Sequence, residues 1–371
     1  MTHSWSEIHL DTLRENLKAI RAALNPRTDY MAMLKADAYG HGLEIVGRTA
    51  WETGVRRFAV FHLDEAVRLR RLLPESSILL AGVASPGDTA GLLDLRLQPL
   101  LVSLDQALGL AAEARHLNAT LSVHVKIDTG MGRLGLAWET AAAELVQLAA
   151  TPGLHIVGAA THLASAGAAD RSFADLQIAR FQQVLSACRA RGLVIPFCHA
   201  ANSDGLCRTP DWHFDAVRPG ILLYGYGPAS PGAPATRPFL HWKSRLVQVK
   251  SVSAGFPVSY DSTYRTGRAT RIGTIPVGYS DGYFRAWSNT AAVLVGGRRA
   301  PIAGRVTMNL IMVDLGPDSP AQPGDDVVLL GEQNGASIWA DELAALAGTI
   351  SYEVLTAIRS PRIPREAHAT A

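Results

Sequence analysis

Residues 31–42 of this 371-residue chain read Met-Ala-Met-Leu-Lys-Ala-Asp-Ala-Tyr-Gly-His-Gly. The apolar run Met31–Leu34 is typical of a short buried strand, and it ends at Lys35. The GxGxxG sequence that a dinucleotide-binding doubly wound fold carries after its first strand is absent here. The absence counts against that fold, so the segments that follow must decide the architecture.

Short apolar runs alternate with helix-like segments through the next part of the chain. The helix-like segments include Thr12–Leu24, Leu63–Leu73 and Ala141–Ala150. After Met31–Leu34 come seven more apolar runs: Phe58–Phe61, Ile78–Leu80, Leu97–Val102, Leu121–Ile127, Ile156–Ala160, Pro196–Cys198 and Ile221–Tyr224. Eight strands alternating with helices predict an α/β fold with an N-terminal parallel (β/α)8 barrel.

The stretch 227–238 contains four prolines and two glycines and is typical of a linker. Beyond it the pattern changes to strands separated by Gly/Pro turns, with one helix candidate at Trp339–Ala347. The strand candidates are Leu246–Val252, Arg271–Val277, Ala291–Val295, Leu310–Leu315 and Asp326–Leu330. We therefore predict a barrel over residues 1–238 and a mostly-β domain over 239–371, with the first few residues free to pack with the β domain.

Composition narrows the classes of partner. There are 35 basic and 33 acidic residues, and 48% of the chain is hydrophobic, a composition that argues against a disordered protein. No basic run exceeds two residues, so we expect no nucleic-acid partner. No apolar stretch is long enough to span a membrane and no signal peptide is recognisable, so we expect no membrane partner. The three cysteines have no metal-binding spacing, which indicates a reducing compartment and no metal site.

Polar residues follow several of the predicted barrel strands, at the edge where barrel enzymes place their catalytic groups. Lys35, Lys126, His162, His199 and Arg218 all lie at or beside a strand end. A lysine desolvated at such a position has a lowered pKa and a free amine that can form a Schiff base. From the residues alone, Lys35 is equally well a lysine that extends its amine to solvent.

The segment Lys35-Ala-Asp-Ala-Tyr-Gly-His-Gly42 resembles the cofactor-lysine signature of the alanine racemases, a family of pyridoxal-phosphate enzymes. Further segments match the family's motifs in order: Lys126 to Arg133, Thr161-His162, Asn202-Ser203, Arg218 to Ile221, Tyr260, Gly278 to Gly282, Gly304 to Met308 and Tyr352-Glu353. The resemblance implies a cofactor-binding barrel with a C-terminal β domain, in a homodimer whose active sites are shared between subunits. It also implies interconversion of L- and D-alanine in a bacterial cytoplasm, for peptidoglycan synthesis or alanine catabolism.

The resemblance also implies roles for single residues. Lys35 would hold pyridoxal 5'-phosphate and act as the acid/base group on one face of the substrate, and Tyr260 of the partner subunit would act on the other. Arg218 would face the pyridine nitrogen, with His162 in support. The phosphate would be held by Tyr39, Ser203, Gly220, Ile221 and Tyr352.

Arg133 and the backbone N–H of Met308 would bind the substrate carboxylate, and Tyr279 and Arg305 would line the entryway. Lys126 would be carbamylated and orient Arg133, although the residues alone allow an unmodified lysine paired with Asp128. Without the family, Tyr260 reads as a surface aromatic residue, and His162 as a hydrogen-bonded histidine at a strand end.

Two positions depart from the family. Asn309 stands where the family usually has Asp, and Asp261 stands where Gly is common.

Two other functions remain as alternatives. A barrel-fold decarboxylase of basic amino acids usually offers a C-terminal cysteine, and none follows Cys207. A non-catalytic pyridoxal-phosphate carrier built from the barrel alone would end near the linker.

Overall fold

The structure is a computed structural model that describes residues 4–228, 232–358 and 365–369. The chain forms two compact units, which are described separately. The first, the barrel unit, comprises Arg14–Ala38 and Leu43–Thr236. The second, the β unit, comprises Met1–Leu13, Tyr39–Gly42 and Arg237–Ala371, and it contains the first strand of the chain, β1 (Ser4–His9).

Eight parallel strands close into a ring in the barrel unit. They are β2 (Asp29–Met33), β3 (Arg57–Val60), β4 (Ser77–Leu80), β5 (Gln98–Leu101), β6 (Leu121–Asp128), β8 (Leu154–Ala160), β9 (Cys198–His199) and β10 (Ala216–Val217). The ring closes because β10 pairs with β2 and β5 pairs with β6. The two-residue strand β7 (Leu136–Ala137) adds to the end of β6. The predicted (β/α)8 barrel is confirmed.

Amphipathic helices follow most of the barrel strands. The helices of this part of the chain are Leu10–Ala22, Leu43–Glu52, Leu63–Leu72, Thr89–Asp94, Leu104–His116, Ala141–Ala149, Ser172–Ala190 and Ser203–Arg208. The predicted helix over Thr12–Leu24 begins two residues earlier than expected, and its apolar positions Leu13, Leu17 and Ile20 are fully buried. Their spacing brings them onto one face of the helix, as the pattern predicts.

The prediction of a strand at Ile221–Tyr224 was wrong. These residues form a short 3-10 helix, and the eighth strand is Ala216–Val217, just upstream. The Leu223 N–H donates to the Gly220 carbonyl, and Gly225 ends the turn in the left-handed region at φ 85°. A four-residue apolar run is compatible with a buried strand or a buried helix, because burial alone dictates its composition.

The described residues of the β unit form three sheets. Its further strands are β11 (Leu240–Arg245), β12 (Gln248–Val252), β13 (Pro257–Val258), β14 (Tyr264–Arg265), β15 (Thr270–Ile275), β16 (Ala292–Val295), β17 (Arg298–Pro301), β18 (Ile311–Asp314), β19 (Asp326–Gln333), β20 (Ala336–Ile338) and β21 (Arg365–His368). The main sheet has the order β17-β16-β19-β11-β1-β21, with β20 on β19. The others are the three-stranded β12-β15-β18 and the hairpin β13-β14. Two helices, Ala340–Ala347 and Ser351–Ala357, complete the described part.

The mostly-β character of this region is confirmed, and all five of its predicted strands and its predicted helix are present. Seven strands among the described residues of the β unit were not predicted: β1, β11, β13, β14, β17, β20 and β21. β11 alternates buried residues with partly or fully exposed ones, whereas β1 is buried except at Trp5 and His9, and the two strands pair antiparallel with each other. Polar residues interrupt the apolar pattern of both strands, namely Ser4, Ser6 and Glu7 in β1 and His241, Lys243 and Arg245 in β11. The domain boundary after residue 238 stays a prediction.

None of the helices described here combines the length and the apolar character needed to cross a bilayer.

Candidate active site

The turn after β2 has an unusual backbone. Residues 36–39 (Ala-Asp-Ala-Tyr) have φ values of 54°, 55°, 54° and 53°, which is the left-handed region, and none of them is glycine. Each such residue costs roughly 1–2 kcal/mol, so surrounding contacts must impose the conformation. The Asp37 carboxylate accepts hydrogen bonds from the Leu43 N–H (3.1 Å) and from Arg68 (2.9 Å), and the Asp37 N–H donates to Glu65 (3.2 Å). These contacts hold the turn immediately after Lys35.

Lys35 carries an amine suited to covalent chemistry. Its side chain is half-buried, and within the described residues its Nζ has neither a hydrogen bond nor an ion pair. Burial, and then the positive charge of Arg133, lower the pKa of Lys35 below its ordinary value of 10.5. A lowered pKa raises the fraction of neutral amine, which is the nucleophilic form.

Arg218 is held by a network of buried groups. Its Nη2 donates to the carbonyls of Thr161 (2.7 Å) and Ala200 (2.8 Å), and its Nη1 donates to Nδ1 of His199. Burial lowers the pKa of Arg218 to about 10, so the guanidinium stays charged at neutral pH. Guanidinium donates hydrogen bonds and cannot accept them, so whatever faces it must be an acceptor.

The hydrogen bond from Arg218 fixes the protonation of two histidines. Because His199 Nδ1 accepts, its Nε2 carries the hydrogen and donates to Nδ1 of His124 at 3.0 Å. Burial, followed by the charge of Arg218, lowers the pKa of His199 far below its ordinary value. Burial also lowers the pKa of His124 to about 3, with the charges of Arg57 and Arg218 adding to it. Both rings are therefore neutral and orient Arg218 without adding charge.

Lys126 is buried, with 5% of its surface exposed, and its Nζ finds no hydrogen-bond partner in the part of the chain described. Burial, and then the charges of Arg218 and Arg133, lower its pKa to about 8. The expected alternative partner, Asp128, has its carboxylate bound by four backbone N–H groups at 2.8–3.2 Å, those of Gly130, Met131, Gly132 and Arg133. The Asp128–Lys126 pair that the residues alone allowed is therefore not formed.

His162 lies among several positively charged side chains. Its Nδ1 lies 3.5 Å from Nη2 of Arg218. Burial lowers its pKa to about 2, and the positive groups that contribute further, in decreasing order, are Arg218, Lys126, Arg133 and Lys35. The imidazole is neutral at physiological pH. Four cationic side chains therefore gather in the barrel unit around a half-buried histidine.

Ser203 organises a group of backbone N–H donors. Its buried Oγ accepts hydrogen bonds from the N–H of Gly220 (2.9 Å) and of Leu222 (3.2 Å). Asn202 caps the helix that begins at Ser203 by accepting the Gly205 N–H (2.9 Å). The N–H of Ile221, between the two donors, has no acceptor among the residues that the structure describes. Successive N–H groups pointing out of a turn form a binding site for an anion.

Two tyrosines of the expected phosphate group belong to the β unit. The rings of Tyr39 and Tyr352 have centroids 5.9 Å apart and an interplanar angle of 48°. Tyr39 is buried, whereas Tyr352 is partly exposed. Burial, and then the proximity of Tyr352, raise the pKa of Tyr39, so its hydroxyl stays protonated and able to donate a hydrogen bond.

A cavity of about 280 Å³ in the β unit contains Tyr260, Tyr279 and Arg305 together, with Asp261 and Arg285 also in its wall. Tyr260 is 69% exposed, so its hydroxyl is available to a ligand. Asp261, where glycine is common in the family, has φ 58°, which explains the preference for glycine. In this chain the Asp261 carboxylate forms an ion pair with Nε of Arg305 at 2.7 Å.

Close backbone packing around Gly278 fixes the segment that carries Met308. The N–H groups of Tyr279 and Ser280 donate to the carbonyls of Thr307 and Met308, both at 3.0 Å. Asn309, where the family usually has Asp, donates from Nδ2 to Oγ of Ser280 at 2.8 Å. The amide thus fills the neighbouring hydrogen-bond position without adding a charge.

The residues expected from the sequence thus fall into four groups. Lys35, Lys126, Arg133, His162 and Arg218 share one electrostatic environment, and Ser203, Gly220 and Ile221 form a backbone donor group. Tyr260, Tyr279 and Arg305 line one cavity, and Tyr39 contacts Tyr352. The sequence reasoning missed His124, His199, Asp37 and Arg285 as members of these groups. His199 was noted at a strand end, but only its burial beside Arg218 shows what it does.

Comparison with known proteins agrees with this arrangement. The family profile of the alanine racemase N-terminal domain matches residues 8–228, and that of the alanine racemase C-terminal domain matches residues 239–367. The chain belongs to the alanine racemase family. Its match to the C-terminal profile is not expected of a carrier built from the barrel alone.

Other proteins named alanine racemase are similar to nearly the whole chain. The alanine racemase of Carboxydothermus hydrogenoformans is 42% identical, covering 97% of this chain and 98% of that protein. A crystal structure of the Streptomyces lavendulae alanine racemase has a TM-score of 0.93 at 33% identity, covering 100% and 98% of the two chains. The Bartonella henselae alanine racemase, solved with covalently bound pyridoxal phosphate, has a TM-score of 0.90 at 28% identity, covering 99% and 100%.

Proposed function

We propose that this protein is a pyridoxal-phosphate-dependent racemase that interconverts L- and D-alanine. The observation that carries the proposal is the unpartnered, half-buried amine of Lys35, with a lowered pKa, at the carboxyl end of the first barrel strand. Family membership supports the same reaction. Supply of D-alanine for peptidoglycan or for catabolism, and a bacterial cytoplasmic location, belong to this proposal.

The residues of the barrel unit fit the cofactor. Lys35 offers the amine for a Schiff base, and the free N–H of Ile221 beside Gly220 and Ser203 offers a place for the phosphate. The cationic surroundings of His162 would be stabilised by an anion, which both the phosphate and a substrate carboxylate supply. Tyr39 and Tyr352 remain predicted phosphate contacts. When bound, pyridoxal phosphate serves as an electron sink for the charge left on the substrate Cα.

Lys35 and Tyr260 are proposed to move the proton at Cα. The Lys35 amine exchanges it on one face, because a lowered pKa raises the fraction of neutral amine that can accept a proton. The Tyr260 hydroxyl, exposed in its cavity, exchanges it on the opposite face. We propose that this hydroxyl comes from Tyr260 of the partner subunit, which makes a homodimer the active form.

Arg218 is proposed to face the pyridine nitrogen of the cofactor. Its position is fixed by two carbonyl groups and by the neutral His199–His124 pair. It can donate a hydrogen bond to that nitrogen but cannot release its proton, because its pKa stays near 10. By leaving that nitrogen unprotonated, Arg218 would make bound cofactor a weaker electron sink, which would favour return of the proton to Cα over side reactions.

Lys126 is proposed to carry a carbamate. Its neutral amine nitrogen would form a bond to the carbon of carbon dioxide and release one proton, leaving an anionic carboxylate on Nζ. The buried, unpartnered amine and the nearby charges of Arg218 and Arg133 support this change, because an anion there would pair with two cations. Arg133, so oriented, would bind the substrate carboxylate with the N–H of Met308, and Tyr279 and Arg305 would line the entry.

Borohydride trapping followed by peptide mapping tests the cofactor linkage. We expect a pyridoxyl group on the peptide that contains Lys35, and finding it on another lysine would overturn the assignment. A screen of both enantiomers of Ala, Ser, Lys and Arg tests the reaction. Racemisation of alanine is expected, whereas release of carbon dioxide from Lys or Arg would indicate the decarboxylase alternative.

Exchange of the Cα hydrogen in deuterated water tests Tyr260. In Tyr260→Phe we expect bound cofactor to be retained and exchange to become slow from one enantiomer in particular. Tyr264→Phe is a matched control, since its hydroxyl bonds Asp314 at 2.6 Å instead of facing the cavity. Normal exchange from both enantiomers in Tyr260→Phe would remove this residue from the mechanism.

A further inference from the structure

Three metal-ligating side chains come together on the main sheet of the β unit, apart from every residue assigned above. They are Glu7 and His9 of β1 and His241 of β11, and one ligand atom from each lies within 4.8 Å of the others. Glu7 stands opposite His241 in the antiparallel register of the two strands. Because Glu7 and His9 are two residues apart, both project from the same face of the sheet.

His9 contributes, with its Nε2, the one atom of this cluster that is buried without a hydrogen-bond partner among the described residues. It lies 3.6 Å from Oε2 of Glu7, which is within ion-pair range but beyond hydrogen-bond distance. An imidazole nitrogen buried without a partner is costly, and a bound cation is one way in which such a nitrogen is satisfied.

The surroundings hold the imidazoles in place. The His9 and His241 ring centroids are 4.2 Å apart, and the ring of His368 stacks on His9 at 5.6 Å. His241 lies against Gly331, where a Cβ would come within 2.7 Å of the imidazole, and its ring contacts Trp339. Packing on several sides limits the rotamers available to these rings, so the side chains lose little further conformational entropy when a ligand binds.

A resident cation competes for the same carboxylate. Nζ of Lys243 lies 2.7 Å from Oε2 of Glu7, and Nε1 of Trp5 donates to Oε1 at 2.9 Å. The ammonium group therefore supplies positive charge at the position that a metal ion would take. A metal ion binding here must displace Lys243 from Glu7, which predicts that removing the ammonium group strengthens binding.

We propose that Glu7, His9 and His241 form a binding site for a divalent transition-metal ion of the Zn²⁺ class, which joins β1 to β11. Two imidazoles and one carboxylate are a ligand set that Zn²⁺ takes, with a fourth position left for water. Bonds of about 2.1 Å place tetrahedral ligand atoms roughly 3.4 Å apart, so small side-chain rotations from the observed spacing suffice. The ion fastens the N-terminal strand to a strand more than two hundred residues away, and it takes no part in racemisation.

Titration of the intact enzyme with ZnCl2 in phosphate-free buffer, followed by calorimetry, tests the site. We expect one Zn²⁺ per chain, binding that weakens at least tenfold in His9→Gln and in His241→Gln, and no change in His116→Gln, an exposed helical histidine. Lys243→Met should tighten binding several-fold. Co²⁺ bound at the site should give the visible absorption of a four-coordinate ion, and this absorption should be lost in His9→Gln.

The histidine variants and Lys243→Met are expected to change the Zn²⁺ affinity in opposite directions, so the test does not depend on any single variant. Circular dichroism before titration shows whether each variant is folded, and if His241→Gln is not, His9→Gln and Lys243→Met still give opposite expected shifts. Failure of the wild-type enzyme to bind Zn²⁺, unchanged affinity in His9→Gln, or weaker affinity in Lys243→Met would each overturn the proposal. None of these results depends on racemase activity.

Discussion

Gly278 is a position where one added methyl group should lower both stability and activity. A Cβ built there lies 2.2 Å from the carbonyl oxygen of Thr307 and 2.3 Å from that of Met308. Carbon and oxygen atoms need about 3.2 Å, so the two backbone segments would separate by about 1 Å in Gly278→Ala. The Tyr279 and Ser280 N–H groups, which donate to those carbonyls at 3.0 Å, would lose good geometry.

The expected cost follows from these contacts. Overpacking costs about 1–3 kcal/mol, and two weakened hydrogen bonds add about 1 kcal/mol, for a total of about 3 kcal/mol. At 2–4 °C per kcal/mol, the melting temperature should fall by roughly 6–12 °C. Because Met308 carries a proposed contact to the substrate carboxylate, kcat/KM for L-alanine should fall about 100-fold.

Gly267→Ala is the matched control for this variant. Gly267 lies in the same unit, and a Cβ there meets no atom within 4 Å. Scanning calorimetry and a coupled racemisation assay on both variants provide the measurements. If Gly278→Ala melts and turns over like Gly267→Ala, the close packing at residues 278 and 307–308 does not position Met308, and the reasoning fails.

Three further predictions concern single side chains. Lys35→Ala should lose the visible absorbance of bound cofactor and essentially all turnover, whereas the exposed Lys18→Ala should keep both; absorbance retained in Lys35→Ala would contradict the Schiff-base assignment. Asp261→Ala should melt below Asp261→Asn by the equivalent of about 1 kcal/mol, because both lose the Arg305 ion pair but Asn tolerates φ 58°; equal melting temperatures would show that the backbone is unstrained. Burial alone would raise the pKa of Asp314, but hydrogen bonds from Thr270, Tyr264 and Gly316 lower it below 3.8. Its stabilisation is therefore present above about pH 4 and is lost as the pH falls through the lowered pKa, so Asp314→Asn should show a shallower loss of melting temperature below about pH 4.

Much of the barrel could be predicted because buried strands and amphipathic helices have different periods. Leu13, Leu17 and Ile20 are apolar because the helix buries one face, and that requirement is written in the spacing. Ile221–Tyr224 could not be assigned correctly, since a short run buried on all sides has no period to read. The strands β1 and β11 were missed for a different reason, because polar residues interrupt the apolar pattern, on one face of β11 and on both faces of β1.

The sequence by itself determined which reactive side chains lie at strand ends. These are Lys35, Lys126, His162 and Arg218, and the signature around Lys35 indicates the family. The tertiary structure alone decided what these groups experience. It shows a left-handed turn after Lys35, the neutral His199–His124 pair behind Arg218, and a Lys126 amine whose expected partner, Asp128, is occupied by backbone N–H groups. The physical reason is that pKa values and hydrogen bonding depend on burial and on distances of a few ångströms, and residues far apart in the chain set both.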